Sequence, residues 1–193
     1  MPIPSLNLSL GTRMPWFSVT DLEGRVWTTA DADDKPVSVV AFLSRHSPYV
    51  KHIEMNLGVL AERLIEEQVM VLGISANDSR AYPSDSPEML GEQMRRAKFS
   101  FPYAVDESQQ AAKAFRASCT PEFFVYDNEL RLVYHGQYDA SRPDNDIEVT
   151  GKDVAQAVEA ARRGEVVSGD QPTSLGCSIK WRAGNEPGYV LAF

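Results

Sequence analysis

The sequence predicts one α/β domain, a mixed central sheet flanked by helices, with an N-terminal β-hairpin and a C-terminal tail extension. Three observations carry this. Val37 to Leu43 and Val69 to Ile74 are short, unbroken apolar runs rich in β-branched residues, the composition of strands buried on both faces. Between them Ile53, Leu57, Leu60, Ala61 and Leu64 recur at helical spacing, after Ser47-Pro48, a capping residue followed by proline at the first helical position. Strand, helix and strand connected so closely imply a parallel pair joined by a right-handed crossover.

The other elements follow in chain order. Trp16 to Leu22 and Arg25 to Thr28 flank Glu23-Gly24, a turn signal between two strand-like pieces, hence the hairpin. Ser86-Pro87 repeats the cap-then-proline signal and opens a helix to about Ala97. Phe101 to Val105 reads as a short strand, and Asp106 or Glu107 as the start of a helix through Phe115. Glu122 to Tyr126 and Leu130 to Tyr134, separated by Asp127-Asn128, form an antiparallel hairpin. Thr150 caps an amphipathic helix through Val154, Ala157, Val158 and Ala161, which ends at Gly164. The tail, 165–193, has no clear period, yet Leu175, Ile179, Trp181, Tyr189 and Phe193 are too apolar for a free linker, so it is expected to dock on the body of a single 1–193 domain.

Composition excludes several classes of function. A formal charge of -8 with no cluster of Lys and Arg argues against a nucleic-acid partner. No apolar run is long enough to span a membrane, and Met1 to Leu10 is broken by Pro2 and Pro4, unlike an export signal. Cys119 and Cys177 are the only cysteines, so a disulfide framework is excluded and a reducing cytoplasm is the expected location. The three histidines lack metal-ligand spacing, and neither a metal nor another cofactor is expected. They read as partly exposed polar residues.

The chemistry concentrates at one place. A strand ends at Ser44, a helix starts at Pro48, positions 44 and 47 are three apart, and Thr120-Pro121 precedes a hairpin. That is the layout of a thioredoxin active site: unpaired N–H groups at a helix N-terminus stabilise a thiolate, and the spacing lets two sulfurs meet. A Thr-Pro peptide, if cis, presents backbone beside the turn. At these residues the chain resembles the thioredoxin-like redoxin family related to alkyl hydroperoxide reductase and thiol-specific antioxidant proteins. Its subgroup signature Cys-x-x-Cys-Pro-Tyr-Val-Lys is matched by Ser44-Arg45-His46-Ser47-Pro48-Tyr49-Val50-Lys51. Further matches are Asn77-Asp78, Tyr82 to Pro87, Phe101-Pro102-Tyr103, Cys119 to Phe124 and Gly176 to Trp181.

The resemblance implies thiol–disulfide or peroxide reduction, with a protein disulfide, a peroxide or a peptide as substrate. It places the catalytic positions at Ser44 and Ser47 and substrate-contacting ones at His46, Pro48, Tyr49, Thr120 and Pro121. Serine supplies neither an accessible anion near neutral pH nor a disulfide, so the pair is expected to be redox-silent. Loss of the site in the gene and a deliberate pair of Cys→Ser changes account for it equally. As bland roles, Ser47 caps the helix and Ser44 is satisfied by local backbone. A Ser–His hydrolase is disfavoured, because neighbours at a helix start rarely face each other and no Gly-x-Ser-x-Gly elbow exists.

Two alternatives stand beside this reading. The groove between Ser44 to Pro48 and Thr120-Pro121 could hold a peptide by strand-like pairing, without chemistry. Cys119, next to Thr120, is the best surviving thiol for a one-cysteine redox role, although a buried core cysteine is the commoner fate of such a residue. A Cys119–Cys177 bridge and a homodimer through an edge strand or the tail stay open.

Overall fold

Alternation along the central strands sorts side chains to two faces, and each face has its own core. In β4, Val37–Phe42, residues Val37, Val39 and Ala41 join a cluster with Ile53, Leu57, Leu64, Val154 and Val158, while Val40 and Phe42 join Leu72, Ile74, Ala112 and Phe115 on the other face. A computed structural model describes residues 2–167 and 171–190 of the chain. Phe193, one of the tail's apolar residues, lies outside the described residues.

In chain order the strands are β1 (Ile3–Pro4), β2 (Ser18–Asp21), β3 (Val26–Thr28), β4, β5 (Met70–Ser75), β6 (Tyr103–Val105), β7 (Cys119–Thr120), β8 (Glu122–Asp127), β9 (Leu132–Gly136) and β10 (Leu175–Ser178). The helices are α1 (Pro48–Glu66), α2 (Pro87–Ala97), α3 (Gln110–Phe115) and α4 (Lys152–Arg162). A seven-stranded sheet runs β3-β2-β6-β5-β4-β8-β9. Its centre is parallel, with Val39 opposite Val71, and β8 is antiparallel to β4, with Val39 opposite Val125. The sheet is therefore mixed and carries helices on both faces, as the apolar runs predicted. α1 and α2 approach closely at Gly58, where a Cβ would stand 2.2 Å from the Ala97 carbonyl oxygen.

Several expectations needed correction. α3 starts at Gln110 rather than at Asp106 or Glu107, because the Asp106 carboxylate folds back to accept the Ala112 N–H at 2.9 Å. Gly151, not Thr150, occupies the N-cap of α4; its φ of 65° brings its own and the Thr150 N–H to the Asp139 carboxylate. His135 is 6% exposed rather than a surface group, held by the Glu122 carboxylate at 2.7 Å.

The tail is docked, and part of it is a strand that periodicity did not reveal. β10 sits between β1 and β7 in a second, antiparallel sheet, with Gly176 opposite Ile3 and Cys177 opposite Thr120. Among the described residues no helix is long and apolar enough to cross a membrane.

Candidate functional site

The site forms where the end of β4, the start of α1, β7 and β10 converge. Ser47 holds the N-cap position of α1, with Pro48 following, but its side chain makes no capping bond. Its hydroxyl instead donates to the Thr120 carbonyl at 3.1 Å. The Ser44 hydroxyl pairs with that of Thr120 at 2.8 Å, so a residue far along the chain satisfies it rather than local backbone. Both serines are 0% exposed. The Thr120–Pro121 peptide between them and β8 is cis.

Glu122 fixes the loop bearing Thr120 from beneath. Its buried carboxylate accepts the N–H groups of Ser118 at 2.8 Å and Cys119 at 3.0 Å, as well as His135. Cys119 is 0% exposed; burial first, then the Glu122 charge, pushes its thiol well above the ordinary range. Such a thiol is protonated and enclosed, the state of an inert core cysteine. Cys119 and Cys177 are both free, so no bridge joins them.

His46 is partly exposed, as its sequence reading expected, and is held by a buried carboxylate. Its Nδ1 lies 2.5 Å from Asp85 Oδ2, and Asp85 also accepts the Arg45 N–H at 2.6 Å, the His46 N–H at 3.1 Å and the Asn77 amide at 2.9 Å. Asp85 comes from the loop before α2 and is 1% exposed. Burial works to raise its pKa, yet the bonds from His46 and Asn77 prevail and hold it below the usual carboxylate range. The Asp85 bond first, then Cys177, pushes His46 up to about 9, so the imidazole is protonated at neutral pH.

Cys177, half-buried on β10, completes the cluster. In the strand register it stands opposite Thr120, and the influence of His46 draws its thiol below the ordinary range, against its burial. Sequence reasoning singled out Ser44, His46, Ser47 and Thr120, and the structure brings them together. It gave no site role to Asp85, Asn77 or Cys177; the only signal for them was that each lies within a stretch matching the resembled subgroup.

Of the positions expected from the resemblance to contact substrate, Pro48 is exposed, Tyr49 half-buried and Pro121 buried. Tyr49 and Pro121 border a recess of about 10 Å³ with Ile53, Tyr138 and Leu175, room for a water at most. A peptide pairing with backbone beside Pro121 finds one edge of β7 already occupied by β10, with Cys177 opposite Thr120 and Ser178 opposite Cys119. Gly176 makes this approach possible, since a Cβ there would stand 2.2 Å from the Thr120 carbonyl oxygen. Among the described residues no group of three or more His, Cys, Asp or Glu is placed to hold a metal ion.

Comparison with solved structures finds a hypothetical protein from Sinorhizobium meliloti 1021 with a TM-score of 0.91 and 42% identity, over 94% of this chain and 99% of that one. An uncharacterized conserved protein from Geobacillus kaustophilus matches at a TM-score of 0.91 and 38% identity, over 94% and 97%. A secreted disulfide oxidoreductase from Mycobacterium tuberculosis shares the fold at a TM-score of 0.58 and 15% identity, over 75% and 95%. A search of curated proteins finds no match. The model of the AhpC/TSA family matches residues 10–135, from before the hairpin to His135, and with the thioredoxin-like architecture this makes the chain a member of the AhpC/TSA family of redoxins.

Proposed function

We propose that this chain is a thioredoxin-like redoxin in which the paired position at the start of α1 carries no dithiol chemistry. The observation behind this is that the Ser44 and Ser47 hydroxyls are fully buried and spent on Thr120. They brace the cis-proline loop against the helix start. A disulfide substrate needs a thiolate there to attack it and a second thiol to release the product, and a hydroxyl serves neither step. Peroxide reduction at the same positions fails too, since its first product is a sulfenic acid.

Cys119 is a poor substitute, being enclosed and protonated. Peptide holding in the groove would have to share β7 with β10, which is already paired to it. The test is insulin reduction driven by a dithiol donor. The chain is expected to add nothing to the donor alone. Turnover that survives Cys119→Ala and Cys177→Ser but is lost in Ser47→Ala would overturn the reading.

A further inference from the structure

We propose that the outward ridge of α1, formed by Lys51, Met55, Val59 and Glu62, is where two copies of this chain pair, helix against helix and antiparallel. The two-fold axis crosses α1 level with Leu57, midway between Met55 and Val59. This goes beyond the silence of the Ser44/Ser47 pair and does not depend on it.

α1 is 19 residues long and buries Ile53, Leu57, Leu60 and Leu64 in the core of its sheet face. Both of its flanks are taken. On one, His52 Nε2 meets the Ser141 hydroxyl at 2.7 Å, and the Asn56 amide donates to the Val149 carbonyl at 3.2 Å. On the other, Glu54 pairs with Arg96 of α2 at 2.9 Å, and Gly58 lies against the Ala97 carbonyl. Between the flanks the four ridge residues follow one another at helical spacing, on one side of the helix. Met55 is 53% exposed and Val59 69%. Lys51 and Glu62 are exposed as well, and neither forms an ion pair or a side-chain hydrogen bond among the described residues.

The charges identify the occupant. Anions are favoured at a helix N-terminus and cations at its C-terminus. This ridge has the reverse order: the first turn holds no acidic residue and Lys51 stands beside it, while Glu62 and Glu66 stand near the C-terminal end. The two glutamates, one turn apart, also repel each other. Arg63, the basic residue of the last turn, lies two turns on from Asn56 and therefore on that flank, off the ridge. An order that costs a lone helix suits an antiparallel pair. Lys51 of each copy then meets the partner's Glu62, at the negative end of the partner's helix dipole, and Met55 packs on the partner's Val59. A parallel copy would set lysine on lysine and glutamate on glutamate, so the charge order selects the antiparallel one. One patch is used twice, as in any isologous contact.

The experiment is sedimentation equilibrium of the full chain from about 1 µM to 1 mM, a range of about 4 kcal/mol in association free energy. A reversible monomer–dimer equilibrium is expected. Val59→Glu should raise the dissociation constant about ten-fold or more, since it puts a charge at the centre of the contact. Lys51→Glu and Glu62→Lys should each raise it about five-fold or more, because two attractions become two repulsions. Both reversals in one chain restore opposite charges across the axis and should recover the parental constant. A chain that stays monomeric throughout overturns the proposal. A dimer indifferent to Val59→Glu or to the single reversals also overturns it, since it uses another surface. So does one weakened by each reversal and not recovered by the double variant, since its helices do not pair antiparallel. Insulin turnover lost at Ser47 is a separate readout, so the two readings fail separately.

Discussion

Gly176 runs so near Thr120 that a methyl group on it would overlap the Thr120 carbonyl oxygen, at 2.2 Å, and the carbonyl carbon, at 2.7 Å. Both obstructing atoms are backbone, so no side-chain rotation relieves the overlap. This close approach lets β10 lie against β7, with Cys177 opposite Thr120.

Gly176→Ala should therefore push β10 off the Thr120 loop. Overpacking a tight site costs about 1–3 kcal/mol. Urea unfolding should show a loss of that size, and Cys177 alkylation should approach the rate of an ordinary exposed thiol. A variant as stable as the parent, with Cys177 reactivity unchanged, would show that the approach is looser than described.

His46 gives a prediction about stability and pH. Its folded pKa of about 9 lies above the ordinary 6.5, so the bound proton stabilises the fold. That contribution is fully present below 6.5 and lost as pH rises through 9. Asp85 has the opposite sign: its pKa is lowered from 3.8, so its contribution is present above that value and lost on further acidification. The Tm of the parent minus that of His46→Gln should be largest between these limits, at about pH 5–6, and shrink towards alkaline pH. Because Asp85 is the largest cause of the His46 shift, the trend should persist in a Cys177→Ser background. A Tm difference flat from neutral pH to above 9 would remove the His46–Asp85 ion pair from the account.

The scaffold was legible because its signals are local. Val37 to Leu43 and Val69 to Ile74 read as buried strands, Ser47-Pro48 and Ser86-Pro87 as helix starts, and each lies where expected. The site was legible only in part. Ser44, His46, Ser47 and Thr120 sit at a strand end, a helix start and a proline bond, all visible in sequence. Asp85 meets His46 from 39 residues away, and Cys177 comes opposite Thr120 on a four-residue strand flanked by no periodic pattern. Pairing with a distant strand is a tertiary choice, and nothing in residues 175–178 announces it. Ser47 shows the same limit: sequence placed it at the N-cap, but the nearby Thr120 carbonyl took the hydroxyl that would have capped the helix.

The pairing of β10 with β7 yields a last prediction. Cys177 stands opposite Thr120, whose carbonyl accepts the Ser47 hydroxyl, so Ser47→Cys would set a second sulfur near Cys177. A disulfide requires Cβ atoms about 3.5–4.5 Å apart and a torsion near a right angle. Mild oxidation of Ser47→Cys should then remove two hydrogens from the intact mass and leave Cys119 as the one free thiol. Closing so long a loop should stabilise the oxidised form over the reduced one by about 2–4 kcal/mol, read from urea unfolding with and without reductant. If Ser47→Cys keeps three free thiols after oxidation, Cys177 does not face the start of α1, and the placement of β10 beside it is wrong.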